Sequence, residues 1–412
     1  MAASSLPARD RTVSDTLEHP SLPGIARSRE PSASWAPVFA LSLGAFALVA
    51  SEFMPVSLLT PIATDLHITE GAAGQAISIS GAFALITSLS ISFLAGRVDR
   101  KRLLLSLTLL MVISGTVVAT APNYGIFMVG RALIGVAIGG FWSMSAATAM
   151  RLVADHQVPK ALAIVNGGNA LATVIAAPLG SYLGAIIGWR WAFFAVVPVA
   201  MVAFLWKLLS LPALQPQGST GAKALWRLMK RPAVSLGMVA VSLFFMGQFS
   251  LFTYLRPFLE MAGHADVRTV SGILLIMGVA GFAGTAMIGS VLQSSLYRTL
   301  VAIPVLMAAI AVTLIWTGAS LGTSAVLLGI WGLIATAAPV GWWTWLSQTL
   351  PSDAEAGGGL MVAIVQLAIM LGATLGGLLY DASGYQATFG LSVAMLVIAA
   401  GFTVLAARAA QD

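Results

Sequence analysis

The chain holds 412 residues, of which 58% are hydrophobic and 9% charged, and its mean hydropathy is +0.92. A water-soluble domain carries about 25% charged residues, so this composition excludes one and describes a polytopic membrane protein. Cysteine is absent, which excludes a disulfide framework, a thiolate metal site and a cysteine nucleophile, while the net charge of +6 has to be located before it means anything.

Residues 1–34 are rich in Ser, Pro and mixed charge and read as a disordered cytoplasmic tail. No short apolar core with a cleavage site precedes Trp35, so the tail is not a signal peptide. Apolar stretches follow at 35–62, 72–95, 103–122, 125–150, 161–185, 190–211, 233–257, 269–292, 299–318, 322–349, 356–380 and 386–407, twelve in all. Each holds about 20 or more residues, enough to cross a hydrocarbon core of about 30 Å. With the N-terminus inside, 17 of the 21 Lys and Arg fall in cytoplasmic segments, among them Lys207 in the loop after the sixth span. Arg190, Arg256 and Arg268 fall outside, and Arg131 lies within a span. This positive-inside bias puts both termini in the cytoplasm. The basic excess is therefore topology, with a mild attraction to anionic lipid rather than to nucleic acid. His19, His67, His156 and His264 all lie in the tail or in loops, so no metal is expected, and no G-x-x-x-x-G-K-[ST] loop offers ATP drive.

The first span closes on "SEFMPVSLLTP" (51–61), where Glu52 is the only acid between Glu30 and Asp65. At 1.5 Å per residue Glu52 lies roughly 15 Å from the outer end of its helix, and Arg131 in the fourth span roughly 10 Å from the outer end of its own. An intramembrane acid costs about 2.5–3.5 kcal/mol on insertion scales, and its default reading is functional. Two readings stand: a structural ion pair with Arg131 that staples two helices, or a site for proton coupling or substrate. For coupling, burial favours a protonated carboxyl and a guanidinium favours an ionised one. A Glu whose access alternates can then load and release a proton.

"AGRVDRKRLL" (95–104) caps the second span on the inside. Its Gly96, Asp99, Arg100 and Arg102 resemble the signature loop between the second and third helices of the major facilitator superfamily, here shortened and without the usual second glycine. The resemblance implies a cytoplasmic gate latch, with Asp99 pairing to a basic group or helix end across the interface of two halves; a solvated positive cluster is the plain alternative. "RALIGVAIGG" (131–140) resembles the family's fourth-helix pattern through Arg131, Gly135, Gly139 and Gly140, with Ile134 where glutamine is common. "AAPLGSYLG" (176–184) resembles the fifth-helix pattern of antiporters through Pro178, Gly180 and Gly184, and "GWRWAF" (188–193) the start of the sixth.

Residues 212–232 form a polar linker between an N-terminal half, 35–211, and a C-terminal half, 233–408, before a short tail at 409–412. An offset of 196 brings the halves into register, laying 171–193 over 367–389 and 51–61 over 247–257. Phe53/Phe249, Leu59/Leu255, Pro61/Pro257, Gly188/Gly384 and Phe193/Phe389 are identical, whereas Glu52 meets Gln248, Asp99 meets Ser295 and Arg131 meets Leu327. Parallel halves related by an axis along the membrane normal are a transporter design with the substrate site between them at mid-membrane. The expected fold is therefore all-α, twelve spans in two pseudo-symmetric six-helix halves.

Gln75, Trp142, Ser143, Asn166, Asn169, Gln248, Tyr254, Trp342, Trp343 and Gln366 fall inside spans and suggest a cavity lining. Amides supply donors and acceptors and rings stack on flat faces, which suits a neutral planar solute; an interfacial aromatic belt is the alternative for Trp342 and Trp343. "GGFWSMSAATAMRLV", "GQFSLFTYLRP" and "PVGWWTWLSQ" make the chain resemble bacterial purine ribonucleoside efflux pumps of the proton-coupled drug-efflux group. That resemblance implies a proton-driven antiporter, not an enzyme, exporting a nucleoside-like solute from the cytoplasm. Multidrug or sugar efflux, or proton-linked import, are the alternatives. Protons, one small solute and the lipid bilayer are the expected partners, with no cofactor and no nucleic acid, in a monomer of the bacterial inner membrane.

Overall fold

The computed structural model describes residues 35–94, 98–215, 227–350 and 354–410. Gly96, the two outer tails and residues 216–226 of the linker lie outside the described residues. Every long element described is a helix, as an apolar solvent requires, because a helix satisfies its own backbone polar groups. In chain order they are α1 (Trp35–Leu66), α2 (Glu70–Leu94), α3 (Arg100–Ala119), α4 (Tyr124–Met150), α5 (Val158–Ile187), α6 (Trp189–Phe194), α7 (Val196–Ser210), α8 (Pro232–Thr253), α9 (Leu255–Ala262), α10 (Val267–Thr317), α11 (Leu321–Thr349), α12 (Ala354–Ser383) and α13 (Tyr385–Ala409). Among the described residues eleven stretches are long and apolar enough to span a membrane. One of them, α10, runs 51 residues and turns at Ser295 (φ −163°, ψ 71°), so it makes two crossings and the total is twelve.

Local chemistry sets the ends. Asp99, Asn123 and Asp266 accept backbone N–H bonds from the first turns of α3, α4 and α10, the usual way to satisfy orphan helix donors. Gly188 (φ 84°) separates α5 from α6, and Gly384 (φ 78°) separates α12 from α13. These two glycines are 196 residues apart, and their backbone region is essentially closed to other residues. The duplication seen in the sequence is thus repeated in the main chain.

α1–α7 and α8–α13 form the two halves, which meet through α2 against α12 and α5 against α10. Phe53 stacks on Phe249 with ring centroids 5.7 Å apart. These residues are equivalents in the repeat, and equivalent residues of two halves touch only near the axis that relates them. Glu52 and Gln248, one position earlier, are therefore close to that axis. At mid-depth Gly278 of α10 has no room for a side chain against the Val174 backbone of α5. At the membrane end remote from the chain termini, Asp381 of α12 accepts from Thr69 Oγ1 (2.6 Å) and from the Gly71 N–H (2.9 Å) at the start of α2.

Two charges are not where the loop count puts them. Lys207 lies in α7, fully buried, and donates to Thr108 Oγ1 at 3.0 Å with its ammonium over the Phe141 ring. Gly44 leaves the space it fills. Arg256 lies in α9 and is 4% exposed. The loop reading fails for both because each residue lies near the end of a predicted span, 190–211 or 233–257, but still inside it, and a long cationic side chain there can fold back along its helix. Removing the pair from the loops leaves the positive-inside bias intact.

Candidate functional site

The site is organised by two prolines inside α1, Pro55 and Pro61. A proline has no N–H, so each deprives the carbonyl four residues earlier of its helical partner; those carbonyls belong to Ser51 and Ser57. Inside a membrane a freed carbonyl has to find a donor from a neighbour. Ser51 O finds Arg131 Nη1 of α4 at 2.7 Å. Ser57 O accepts from Arg256 Nη1 of α9, in the other half. α1 is thus held at two proline sites by two buried arginines, one from its own half and one from across the interface.

Arg131 is wholly buried, and its other donors reach Glu52 O (3.1 Å), Ala76 O (3.1 Å) and Ser80 Oγ (3.3 Å). It is not paired with the Glu52 carboxylate: Glu52 is in neither ion pair found among the described residues, Arg190–Asp65 and Arg256–Glu260. Of the two readings, the ion-pair staple is not seen among the described residues. Its guanidinium is spent on main chain at the proline break, and it acts on Glu52 through the field of a fixed nearby charge. Glu52 itself is 5% exposed, and its carboxyl faces the side chain of Gln366 on α12. Gln366 is 5% exposed too, and its Oε1 has no hydrogen-bond partner among the described residues.

Arg256 donates through Nε to Glu260 Oε1 (2.8 Å) and approaches Ser181 Oγ of α5 (3.4 Å) as well as Ser57 O. Nothing in the composition marks this residue as functional. The signal is the proline four positions after Ser57, which states the need for a donor without naming it.

The predicted antiporter motif packs directly on this stretch. Pro178 is buried in α5, Gly180 faces Met54 and Ser57, and Gly184 faces Leu58. Pro178 frees the carbonyl of Val174, the residue against which Gly278 packs.

The predicted lining residues do not gather in one place. Gln366 and Gln248 lie on the side of the second half that meets α1, and Gln248 Oε1 is also buried without a partner. Trp142 is half-buried beside Phe141, and Gln75, half-buried, reaches only the Gly71 carbonyl of its own helix. Asn166 is exposed and donates to Leu162 O in its own helix, and Asn169 is half-buried on the same helix. Tyr254 is fully buried between α8 and α9, stacked on Tyr380 and donating to Ala373 O (2.8 Å). It fills the space beside Gly74 of α2 and so seals the remote end instead of lining a cavity. Trp342 is core, 3% exposed against Phe244 and Trp345, whereas Trp343 is 46% exposed; as neighbours in a helix they face apart.

Among the described residues the expected latch contact is not made. Asp99 spends its carboxylate on Lys101 N (2.8 Å) and Arg102 N (3.3 Å) of its own helix. Arg100 reaches Met144 Sδ at 3.4 Å, Arg102 is exposed, and Gly96 is outside the described residues. Oδ1 accepts both bonds, so Asp99 serves as the N-cap of α3. A cavity of about 430 Å³ lies between the arms of α10 and α11, lined by Ser295, Arg298, Thr299 and apolar neighbours, and contains none of the predicted site residues.

Comparison with known proteins places this geometry. The model of the Major Facilitator Superfamily matches residues 41–358. The chain is 61% identical over 383 residues to a Pseudomonas aeruginosa protein named transcription regulatory protein OpdE, covering 92% of this chain and 95% of that one. It is 40% identical over 378 residues to the purine ribonucleoside efflux pump NepI of Salmonella paratyphi B, covering 92% and 94%. Among solved structures, a bacterial homologue of the human lysosomal transporter Spinster superposes with a TM-score of 0.75 at 16% identity, over 92% of this chain and 98% of that one.

Proposed function

The chain belongs to the Major Facilitator Superfamily and is a multi-pass membrane transporter; from that premise we propose that it is a proton-driven antiporter exporting purine ribonucleosides, or similar neutral planar solutes, by alternating access. The substrate class rests on the near full-length likeness to the Salmonella pump. The coupling ion rests on one observation: Glu52, a buried carboxyl close to the axis between the halves, with no ion-pair partner among the described residues and a fixed guanidinium nearby. A proton entering down a 100 mV potential brings about 2.3 kcal/mol, and a carboxyl at the axis is where alternating access delivers it to either side. The positive-inside bias supports both termini in the cytoplasm of a bacterial inner membrane. On that topology the Asp381, Tyr254 and Arg256 contacts close the outer side.

The regulatory name of the Pseudomonas relative does not favour a nucleic-acid function. This membrane chain matches 95% of that protein, and the remaining twentieth is too short for a helix-turn-helix domain.

The test uses inside-out vesicles with an acidic lumen. Inosine and guanosine are expected to release lumenal protons, and the Glu52→Gln variant, folded and inserted, to release none. A response to arabinose or chloramphenicol with none to nucleosides overturns the substrate class. Nucleoside accumulation confined to right-side-out vesicles overturns the direction, and undiminished coupling in Glu52→Gln removes the carboxyl's role.

A further inference from the structure

Gln366 stands opposite Glu52 in the other half, and its chemistry fits a task that the substrate-lining reading does not require. It sits where α12 meets α2 so tightly that a methyl on Gly81 would lie 3.1 Å from the Gln366 carbonyl oxygen. Its side chain, 5% exposed, meets the Glu52 carboxyl, yet its Oε1 is left without a donor.

The groups facing Glu52 are few. α4 contributes Arg131, whose fork is already bonded to Ser51, Glu52 and Ala76 carbonyls and to Ser80 Oγ. α2 contributes Ser80, which bonds to Arg131 and is not ionisable at any working pH. α8 contributes Phe249 and Phe252, which pack on Phe53. α12 contributes Gln366. The carboxyl therefore has one charged neighbour, with four of its five N–H donors already bonded, and one amide.

A primary amide is suited to both forms of a carboxyl: its NH₂ donates to the ionised form, and its carbonyl accepts from the protonated one. A proton arriving on Glu52 supplies the donor that Oε1 lacks. Resting on the proton-coupling reading above, we propose that Gln366 is a positioning residue that reads the protonation state of Glu52. It accepts the O–H of the protonated carboxyl on Oε1 and turns Nε2 toward the ionised one, so that a bond between the halves can form in either state with opposite direction. The proton itself stays on Glu52 throughout. The halves remain tied at mid-depth during loading and unloading, and the cost of a bare buried carboxylate is avoided at the moment the site changes sides.

Infrared difference spectra of the purified full-length protein in lipid nanodiscs, stepped in pH, test this without needing transport. The protonated carboxyl C=O band that disappears in Glu52→Gln identifies the residue. In Gln366→Leu, and in the near-isosteric Gln366→Met should the leucine variant fail to fold, that band is expected at higher frequency, because its O–H has lost its acceptor. A band at unchanged frequency in a folded variant overturns the proposal. So does the absence of any titrating band that Glu52→Gln removes. A tenfold loss of inosine binding when Gln366→Met is added to Glu52→Gln makes Gln366 a substrate ligand and overturns the reading. A shifted band in a protein whose vesicles release no protons supports the Glu52–Gln366 pair while removing the antiport it was proposed to serve.

Discussion

Arg131 offers its guanidinium to main chain because Pro55 has created the demand. The Ser51 carbonyl lies four residues before a proline and accepts from Arg131 at 2.7 Å, with Glu52 O bonded at 3.1 Å beside it. Lysine at this position keeps the charge but has no planar fork to serve two carbonyls, Ala76 O and a hydroxyl together. Leaving one such buried group unpaired costs about 1–3 kcal/mol. Arg131→Lys is therefore expected to lower the thermal stability of the purified protein by about that amount. Adding Pro55→Ala, which returns to Ser51 O its own helical N–H, is expected to recover part of the loss. A double variant no more stable than Arg131→Lys alone would show that the arginine is held by something other than the proline break. This partnership was half legible beforehand. Glu52 and Arg131 stand out as charges in apolar spans, and simple helix arithmetic gives them similar depths. The acceptor is a main-chain oxygen, however, and carbonyls are the same in every residue, so the pairing reads from sequence as carboxylate to guanidinium. Lys207 was missed for a related reason: it sits one turn from a loop and reads as solvated, though Gly44, Thr108 and Phe141 had made room for it.

At the scale of elements, α1 behaves as a rod clamped at two points. Arg131 holds the Pro55 site from within the N-terminal half, and Arg256 holds the Pro61 site from α9 in the other half. Only the second clamp has to part when the halves separate at the remote end. The equivalent carbonyl of the second half, Thr253, lies four residues before Pro257, and there the chain breaks between α8 and α9 at Tyr254. Hydropathy shows neither event: it finds both spans by their apolar length and predicts one helix through 233–257. It likewise resolves the ninth span, although α10 joins the eighth to it with no loop except the turn at Ser295. Hydrogen bonds from a charged donor are worth about 1.5–3 kcal/mol, so replacing Arg256 by Met is expected to lower the population closed at the remote end about tenfold or more. The chain has no native cysteine, so spin labels can be placed on exposed Thr64 and Ala382 alone. Pulsed electron–electron distances between them are expected to shift to longer values in Arg256→Met. Identical distributions in the two proteins would show that the Asp381 bonds to Thr69 and Gly71 close that end unaided.

Across the whole molecule, the duplication supplies two equivalent positions beside the axis, and only one of them carries an acid. Gln248 matches Glu52 in the repeat, and the contact of Phe53 with Phe249 puts both near the axis. Their surroundings differ in charge. The carbonyl of Gly247, equivalent to that of Ser51, accepts from Ser392 Oγ (2.6 Å) and Ser250 Oγ (2.9 Å) in place of an arginine. The position equivalent to Arg131 is Leu327, and the one equivalent to Pro55 is Leu251. Two neutral hydroxyls satisfy a carbonyl as well as a guanidinium does, but they bring no field to offset a neighbouring carboxylate. Burying a charge without such an offset is expensive. The asymmetry therefore follows from which half has the break: Pro55 frees a carbonyl that a cation meets, whereas Leu251 keeps its N–H and calls for none. Moving the acid tests this directly. In the double variant Glu52→Gln with Gln248→Glu the carboxyl sits at the same depth, close to the same axis, in the half where Leu327 stands in place of Arg131. Inosine is expected to bind this protein in a purified preparation about as well as it binds Glu52→Gln, whereas nucleoside-triggered proton release from acidic vesicles stays absent. If the double variant releases protons at a rate near that of the unmodified chain, position beside the axis is sufficient by itself, and Arg131 serves the helix break alone.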